Sequence, residues 1–505
     1  MTGSGVRSRH VVVVGGGITG LVAAYRLAKS SNGVPIDVTL LEASRTLGGK
    51  LRTIEVGGAR VEAGADSFVV RKPWAVDLCK ELGLHAQLVI PGASGAFVWV
   101  RGRLVPFPEP SAFGIPTTVG ELVRWPGLSL GGRARAALDL WRRRRRRGDE
   151  DESLGSLVSR RLGREALRAL VAPLLAGLYA GDPDRLSVQA TFPELQRWER
   201  DHGSLIRGAR ASLKGGARAS ERTEESERTA RQAARTPIFT TVWGGLSRLT
   251  DALAEAIGPD RIHLGSPVTE IAPNGARSRV VAGGRRFEAD AVVIAAPSFE
   301  AASIVRSIAP DAAAELAAIP YASTAVAILV YPRGTADGLP GGTGFVVADR
   351  PEGTRAAPGP AITACTWLSR KWPEDSFGDQ AVVRCFVGRA GDEAALGLSD
   401  DELVERVVAD VERVTPIGAR PEARAVIRWE RSMPQYEVGH LGRVQRIRAA
   451  MAIAPGLIVC GSALDGVGIA DCVRQAGEAA AEVRSYLHRT AREGPPQRTH
   501  EEVIR

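Results

Sequence analysis

The feature that most constrains this chain is a glycine loop set between an apolar strand and a helix. His10 to Val14 is a short, β-branched run that reads as a buried strand. Gly15-Gly16-Gly17-Ile18-Thr19-Gly20 comes next, and Leu21 to Lys29 has helical periodicity. Val38 to Leu41 reads as a second strand and ends in Glu42. The glycine spacing alone is a weak signal, but inside a βαβ unit each glycine has a task. Gly15 allows a tight turn, Gly17 lets the backbone approach a pyrophosphate, and Gly20 permits close packing of helix on strand. The free N–H groups and positive dipole end of the helix favour phosphates. Glu42, roughly 20 residues on, can accept both hydroxyls of an adenosine ribose and disfavours a 2′-phosphate.

The residues after Glu42 favour FAD over NAD. Arg45, Gly48-Gly49 and Thr53 continue directly from it, an arrangement that resembles the extended R-x-x-G-G pattern of FAD-binding oxidases and desaturases. Asp290 to Pro297 reads DAVVIAAP, a strand ending in small residues as in that superfamily's return strand. Gly461 to Ile469 reads GSALDGVGI and leads into a helix. A helix N-terminus there, aimed at a flavin pyrimidine, would stabilise negative charge on the reduced ring.

The rest of the chain reads as two further regions. Trp74 to Leu82 is an amphipathic helix closed by Gly83, and Phe97 to Val100 with Arg103 to Val105 forms a hairpin around Gly102. Pro106 to Pro116 reads as proline-rich loop, and helical patterns run from Leu122 to about Leu205. Leu246 to Ile257 is a helix, with strands at Ile262 to Leu264, Ser266 to Ile271, Val280 to Val281 and Ala291 to Ile294. Apolar β-rich runs from Ala325 to Val426 surround one helix, Asp400 to Val414. The chain closes with a strand, Leu457 to Cys460, and a helix, Asp471 to Leu487. The expected class is α/β: a Rossmann-like FAD-binding domain of discontinuous segments (1–90, 237–300 and 426–490), a mixed-sheet substrate domain (91–110 and 301–425) and a helical insertion (111–207). Residues 208–236 and 491–505 read as a disordered loop and tail.

Composition excludes several classes. No stretch reaches the roughly 18 apolar residues of a membrane helix. Met1 to Arg9 is short, polar and basic, and the apolar run after it is only a few residues and leads straight into the glycine loop, so it does not read as a signal peptide. The expected location is the cytoplasm. Five scattered cysteines, Cys79, Cys365, Cys385, Cys460 and Cys472, imply neither a disulfide framework nor a zinc site. Seven dispersed histidines add no metal cluster and no hydrolytic triad, and His440 and Asp471 read better as a structural hydrogen bond and a helix cap. The charge of +9 is concentrated in Arg142 to Arg147 and Arg207 to Arg235, segments that read as solvated loops rather than a nucleic-acid surface. A polyanion-binding module is the non-enzyme alternative.

Several unrelated segments narrow the resemblance. Gly64-Ala65-Asp66-Ser67-Phe68 with Arg71-Lys72, Gly177 to Asp182 (GLYAGD), Trp429 with Ser432 to Tyr436 and Gly439-His440, and Gly466 to Cys472 (GVGIADC) occur in this order. Ile362 to Trp367 and Lys371-Trp372-Pro373 join them. Together they resemble the soluble, Gram-positive-type coproporphyrinogen III oxidases and protoporphyrinogen oxidases of haem synthesis, from His10 to about Leu487. Ala470 departs from the proline that this family commonly has before the Asp-Cys pair. The resemblance implies FAD contacts at Gly15, Gly16, Gly17, Ile18, Thr19, Gly20, Glu42, Ala43, Gly49, Gly64, Ala65, Asp66, Ser67, Val268, Trp429, Val467, Gly468 and Ile469. It implies a six-electron oxidation of coproporphyrinogen III with O2 as acceptor and H2O2 as product. Protoporphyrinogen IX is the alternative substrate, and another flavin amine oxidase or desaturase the more distant one. Arg71 and Lys72 are the candidates for meeting the substrate's carboxylates. Contact with a membrane surface through helices near Leu122 to Leu140, and hand-over of product to a ferrochelatase, stay open.

Overall fold

In the computed structural model, the residues described are 8–29, 34–142, 150–218, 238–348, 359–373 and 376–493. A five-stranded parallel sheet forms the base of the cofactor region. Strand β1 (Arg9–Val14) pairs along its length with β2 (Ile36–Leu41), and between them runs helix α1 (Ile18–Ala28). Ala291–Ile294 pairs with the other side of β1, Leu457–Val459 adds outside it, and Ile262–His263 flanks β2. The strands thus come from stretches of chain far apart in sequence, as the repeated appearance of cofactor motifs implied. A parallel sheet needs cover on both faces, so its strands are apolar throughout. Val11 and Val13 pack with Leu21 and Leu27 of α1 and with Ala476, Ala480 and Val483 of the long helix Ile469–Glu493. Val12 and Val14 face the other way, onto Ile271 and Val280 of a three-stranded antiparallel sheet and onto Val444 and Ile447 of the helix His440–Met451.

A seven-stranded mixed sheet stands beside this base. Its order is Ala423–Pro434, Tyr321–Arg333, Gln380–Val387, Ile362–Trp367, Gly344–Val347, Phe97–Val100 and Arg103–Pro106. The early hairpin at 97–106 is therefore the edge of a sheet whose other strands lie more than 200 residues later, joined by a parallel pairing of Phe97 with Phe345. One face is covered by the helix Asp400–Val414 through Leu403, Val407 and Val411. Ser399 and Glu402 cap that helix reciprocally. The other face, carrying Val326, Ile328 and Val382, receives Val56 and Val61 from the hairpin Thr53–Val56 and Ala59–Glu62. The strand Ala423–Pro434 crosses the boundary expected at 425/426. Trp429 pairs with Thr324 and Pro434 with Tyr321, so residues 426–434 belong to the seven-stranded sheet.

Helices from Val119–Arg124 to Leu205–Arg218 form a third layer around Leu157, Leu170, Leu195 and Trp198. A buried ion pair, Arg161 Nε to Asp139 at 2.6 Å, lies inside it, and Ser204 Oγ and the Ile206 N–H also donate to Asp139. The helix Leu205–Arg218 corrects the expectation of disorder from 208: Leu205, Ile206 and Ala209 recur at helical spacing and are buried, which carries the helix into the Arg/Ala-rich sequence. Residues 219–236 of that loop lie outside the described residues, as do Arg143 to Arg147. At the other end the closing helix extends to Glu493, past the expected start of the tail, and 494–505 lie outside the described residues. The proline-rich stretch holds a small hairpin, Ser111–Ala112 with Ile115–Pro116, where a loop was expected.

Candidate active site

The nucleotide end of the site is made almost wholly of backbone. Gly15 leaves β1 at a φ of +105°, and its N–H donates to Leu41 O at 2.8 Å, closing the turn onto the second strand. A Cβ on Gly20 would stand 1.8 Å from Gly15 O, so α1 can approach the strand this closely only with glycine there. A Cβ on Gly17 would meet nothing within 4 Å. That open side lies at the N-terminus of α1, which no side chain caps. Unclaimed N–H groups, a positive dipole end and free space coincide at one place, as a pyrophosphate requires. Glu42 is fixed at the loop's edge: the Gly16 N–H donates to one carboxylate oxygen at 2.5 Å and the Ser44 N–H to the other at 2.7 Å. Each oxygen keeps a lone pair for a ribose hydroxyl. Ala43 is next in the chain and exposed, and the Ser266 N–H donates to Glu42 O, which brings Val268 to this end.

Gly48 and Gly49 cross in front of the loop. The Gly48 N–H donates to Gly16 O at 2.8 Å, and both glycines have positive φ. Lys50, next in line, escaped the sequence reading. Burial lowers its pKa, and among the described residues its ammonium has no hydrogen-bond or ion-pair partner. A half-buried cation beside a phosphate cradle is suited to meet a diphosphate. Its signal in the sequence is a basic residue directly after Gly48-Gly49.

The flavin end is assembled from distant segments. Gly64 packs so tightly that a Cβ would lie 2.0 Å from Lys50 O. Ala65 N–H donates to Lys50 O at 3.2 Å, and Trp429 Nε1 donates to Ala63 O at 2.8 Å. Asp66 is buried and takes Lys371 Nζ at 2.7 Å, Arg384 at 3.0 Å and the Ser67 hydroxyl at 2.9 Å. Burial would raise its pKa, but Arg384 and Lys371 outweigh that and hold the carboxyl well below the usual range. Its side chain is therefore occupied by protein cations. Glu62 nearby is pushed up to about 7 by burial, against the pull of the Leu246 N–H and the Thr53 hydroxyl.

The glycine-rich loop before the closing helix completes this end. Tyr436 stacks on His440 with ring centres 4.0 Å apart; its hydroxyl donates to Ser462 O and accepts from the Gly466 N–H. His440 Nε2 donates to Leu464 O at 2.9 Å, so this histidine shapes the loop from behind. Val467, Gly468 and Ile469 then enter the helix Ile469–Glu493. Asp471, in its first turn, accepts from Lys72 Nζ with both oxygens at 2.7 Å. The Lys72 side chain remains 47% exposed, and Arg71 is exposed with no partner among the described residues.

Known proteins share this arrangement of segments. The family model described as flavin containing amine oxidoreductase matches residues 18–484. The coproporphyrinogen III oxidase of Bacillus subtilis (strain 168) is 36% identical, over 95% of this chain and 98% of that protein. Its counterpart in Staphylococcus aureus (strain NCTC 8325) is 31% identical over 95% and 100%. The chloroplastic protoporphyrinogen oxidase of Oryza sativa subsp. japonica is 28% identical over 96% and 90%. A crystal structure from Exiguobacterium sp. 255-15, assigned provisionally as a protoporphyrinogen oxidase, has a TM-score of 0.80 at 33% identity and covers 95% of this chain and all of that one. Cyclohexylamine oxidase from Brevibacterium oxydans has a TM-score of 0.66 at 18% identity over 95% of this chain and all of that one, which establishes a shared fold alone.

Proposed function

The chain belongs to the coproporphyrinogen III oxidases within the flavin-containing amine oxidoreductase family, and from that premise we propose that it oxidises coproporphyrinogen III to coproporphyrin III. The observation that carries this reading is the near full-length match to relatives of that one name, combined with a cradle whose open glycine, uncapped helix, ribose carboxylate and unpaired lysine suit FAD. When bound, FAD supplies a two-electron acceptor that dioxygen resets, so the six-electron oxidation runs in three rounds that turn three O2 into three H2O2.

The chain's own residues bind and orient. Gly15 to Gly20, Lys50 and Glu42 hold the nucleotide; Gly64 to Ser67, Trp429 and Val467 to Ile469 line the flavin end. Arg71 and Lys72 stand at the exposed margin beside Asp471. An ammonium has three N–H donors, and Lys72 uses two on Asp471, which leaves one for a substrate carboxylate. Arg71 offers a bidentate fork.

The reading extends to the surroundings. All five cysteines are buried and unpaired, which supports a reducing compartment, and we take that to be the cytoplasm. Among the described residues no helix is long and apolar enough to cross a membrane. An apolar stripe nevertheless faces outward. Leu130, Ala134, Leu138 and Trp141 recur at intervals of four, four and three on one side of Leu130–Ala137 and the turn after it; Leu130 is 81% and Trp141 73% exposed. Arg142 follows Trp141 directly in the chain and is exposed. This combination suits the interface of an anionic membrane.

The test is aerobic turnover of the purified holoenzyme with coproporphyrinogen III and protoporphyrinogen IX side by side, following porphyrin fluorescence and H2O2, with the Lys72→Ala variant included. A higher kcat/KM for coproporphyrinogen is expected, with KM for it raised in the variant while FAD is retained. Preference for protoporphyrinogen would reverse the substrate assignment, and oxidation of neither would overturn the reading. Unchanged kinetics in Lys72→Ala would remove Lys72 from the site.

A further inference from the structure

We propose that Arg384, with Lys371, is a positioning residue for the flavin end of the cofactor site, acting through Asp66 and the carbonyls of Glu62 and Gly64. This rests on the flavin reading above and adds to it residues that make no claim to touch substrate.

Arg384 lies in the middle of Gln380–Val387, where Ala381, Val383, Cys385 and Val387 face the helix Asp400–Val414 and Val382, Arg384 and Phe386 face the cofactor hairpin. Its side chain is 3% exposed. A guanidinium in an apolar strand costs several kcal/mol unless its N–H groups are met. The terminal nitrogens are met on a single target, while Nε has no hydrogen-bond partner among the described residues. One terminal nitrogen donates to Glu62 O at 3.1 Å and Gly64 O at 3.2 Å, and the other pairs with Asp66 at 3.0 Å. Lys371 completes the set on the same Asp66 oxygen at 2.7 Å.

The target is what gives the arrangement meaning. Glu62 ends a two-stranded hairpin, and residues 63–67 have no regular structure of their own. Three alternate positions, 62, 64 and 66, are held by Arg384, and the carbonyl between the first two is held by Trp429. The segment expected to line the flavin is thus clamped by side chains from the seven-stranded sheet. The clamp also carries charge. Lys371 and Arg384 face one Asp66, so a positive charge is left over; the neighbouring Glu62 is neutral below about pH 7. Surplus positive charge in a dry site favours the more negative, reduced state of a flavin.

Arg384→Met, Arg384→Lys and Lys371→Met test this at pH 6 through the dissociation constant of FAD, the reduction potential of the bound flavin and Tm. Arg384→Met is expected to weaken FAD roughly ten- to hundredfold, the consequence of losing charged hydrogen bonds. The potential should fall in Arg384→Met and Lys371→Met and be largely restored in Arg384→Lys, which keeps the charge. A lower Tm with unchanged potential and visible spectrum in both methionine variants would make the clamp plain structural glue and overturn the proposal. If Arg384→Met does not fold, Lys371→Met decides, since it touches the network only at Asp66. A wild type that binds no FAD would instead sink the flavin reading itself.

Discussion

The two ends of the cofactor site are built in opposite ways. The proposed nucleotide end lies mostly on one stretch, Gly15 to Lys50, with Val268 joining it, and its fit comes largely from absent side chains and backbone N–H groups. The flavin end joins residues 62–67, 371, 384, 429 and 461–471 through side-chain bonds that span more than 300 positions. The first kind of site is dictated locally and fails abruptly, because a carbon atom either fits or does not. The second is a balance of buried charges and should fail gradually and with pH.

The largest expected effects separate two glycines at the nucleotide end. Gly20→Val places a carbon against Gly15 O, so both fold and cofactor should be lost, leaving little soluble protein and none of it yellow. Gly17→Val adds its carbons where the protein has open space and the backbone is already extended, at φ −72°. Its apoprotein should melt close to the wild-type temperature and yet bind no FAD, measured by visible absorbance and calorimetry. A Gly17→Val protein that stays yellow would mean that the pyrophosphate does not lie at this loop.

This contrast also explains what was legible in the sequence. The glycine loop, Glu42 and both strands could be read because the physical demand and its answer are neighbours. Lys371 could be matched as part of a motif but given no task, because its partner lies some 300 residues away at Asp66. Arg384 left a trace, one arginine in the apolar run AVVRCFV, that only burial makes interpretable. Asp66 could be placed at the site, whereas its engagement with two cations is a property of the fold. The helix reaching Arg218 and the strand reaching Pro434 were hidden for a related reason. Arginine-rich sequence resembles linker until tertiary contact buries one face of it.

A smaller effect tests the flavin end. Glu62 has a folded pKa of about 7 against an ordinary value of 4.5. Between those values the folded protein holds a proton that the unfolded chain releases. Stability therefore falls as pH rises from about 4.5 to 7, by about 3 kcal/mol at most, and stays reduced above. Glu62→Gln keeps an acceptor for the Leu246 N–H and removes the titration, so its Tm should gain on the wild type from pH 5 to pH 8. Parallel Tm–pH curves for the two proteins would place the burden of the buried charge elsewhere.

The smallest effect on the folded protein belongs to the outward stripe, which is useful because its helices have an apolar core separate from that of the parallel sheet. Its helix is amphipathic in the reverse sense. Asp139 is fully buried and pairs with Arg161, and Arg133 and Arg135 donate to backbone carbonyls, while Leu130, Leu138 and Trp141 face solvent. Periodicity cannot tell which face is inside, so the sequence marks this region as helix and says nothing of its direction. Exposed substitutions away from caps and ion pairs change stability by no more than about 0.5 kcal/mol. Leu130→Gln with Trp141→Gln should therefore leave Tm, FAD content and turnover in solution as they are. If the stripe meets a membrane, the same pair should abolish co-sedimentation with phosphatidylglycerol vesicles, and wild-type binding should weaken with salt because Arg142 contributes. Equal binding by variant and wild type would remove the stripe from the interface. A variant that loses binding together with FAD would mean that the helical layer and the cofactor site are not as independent as their separate cores make them.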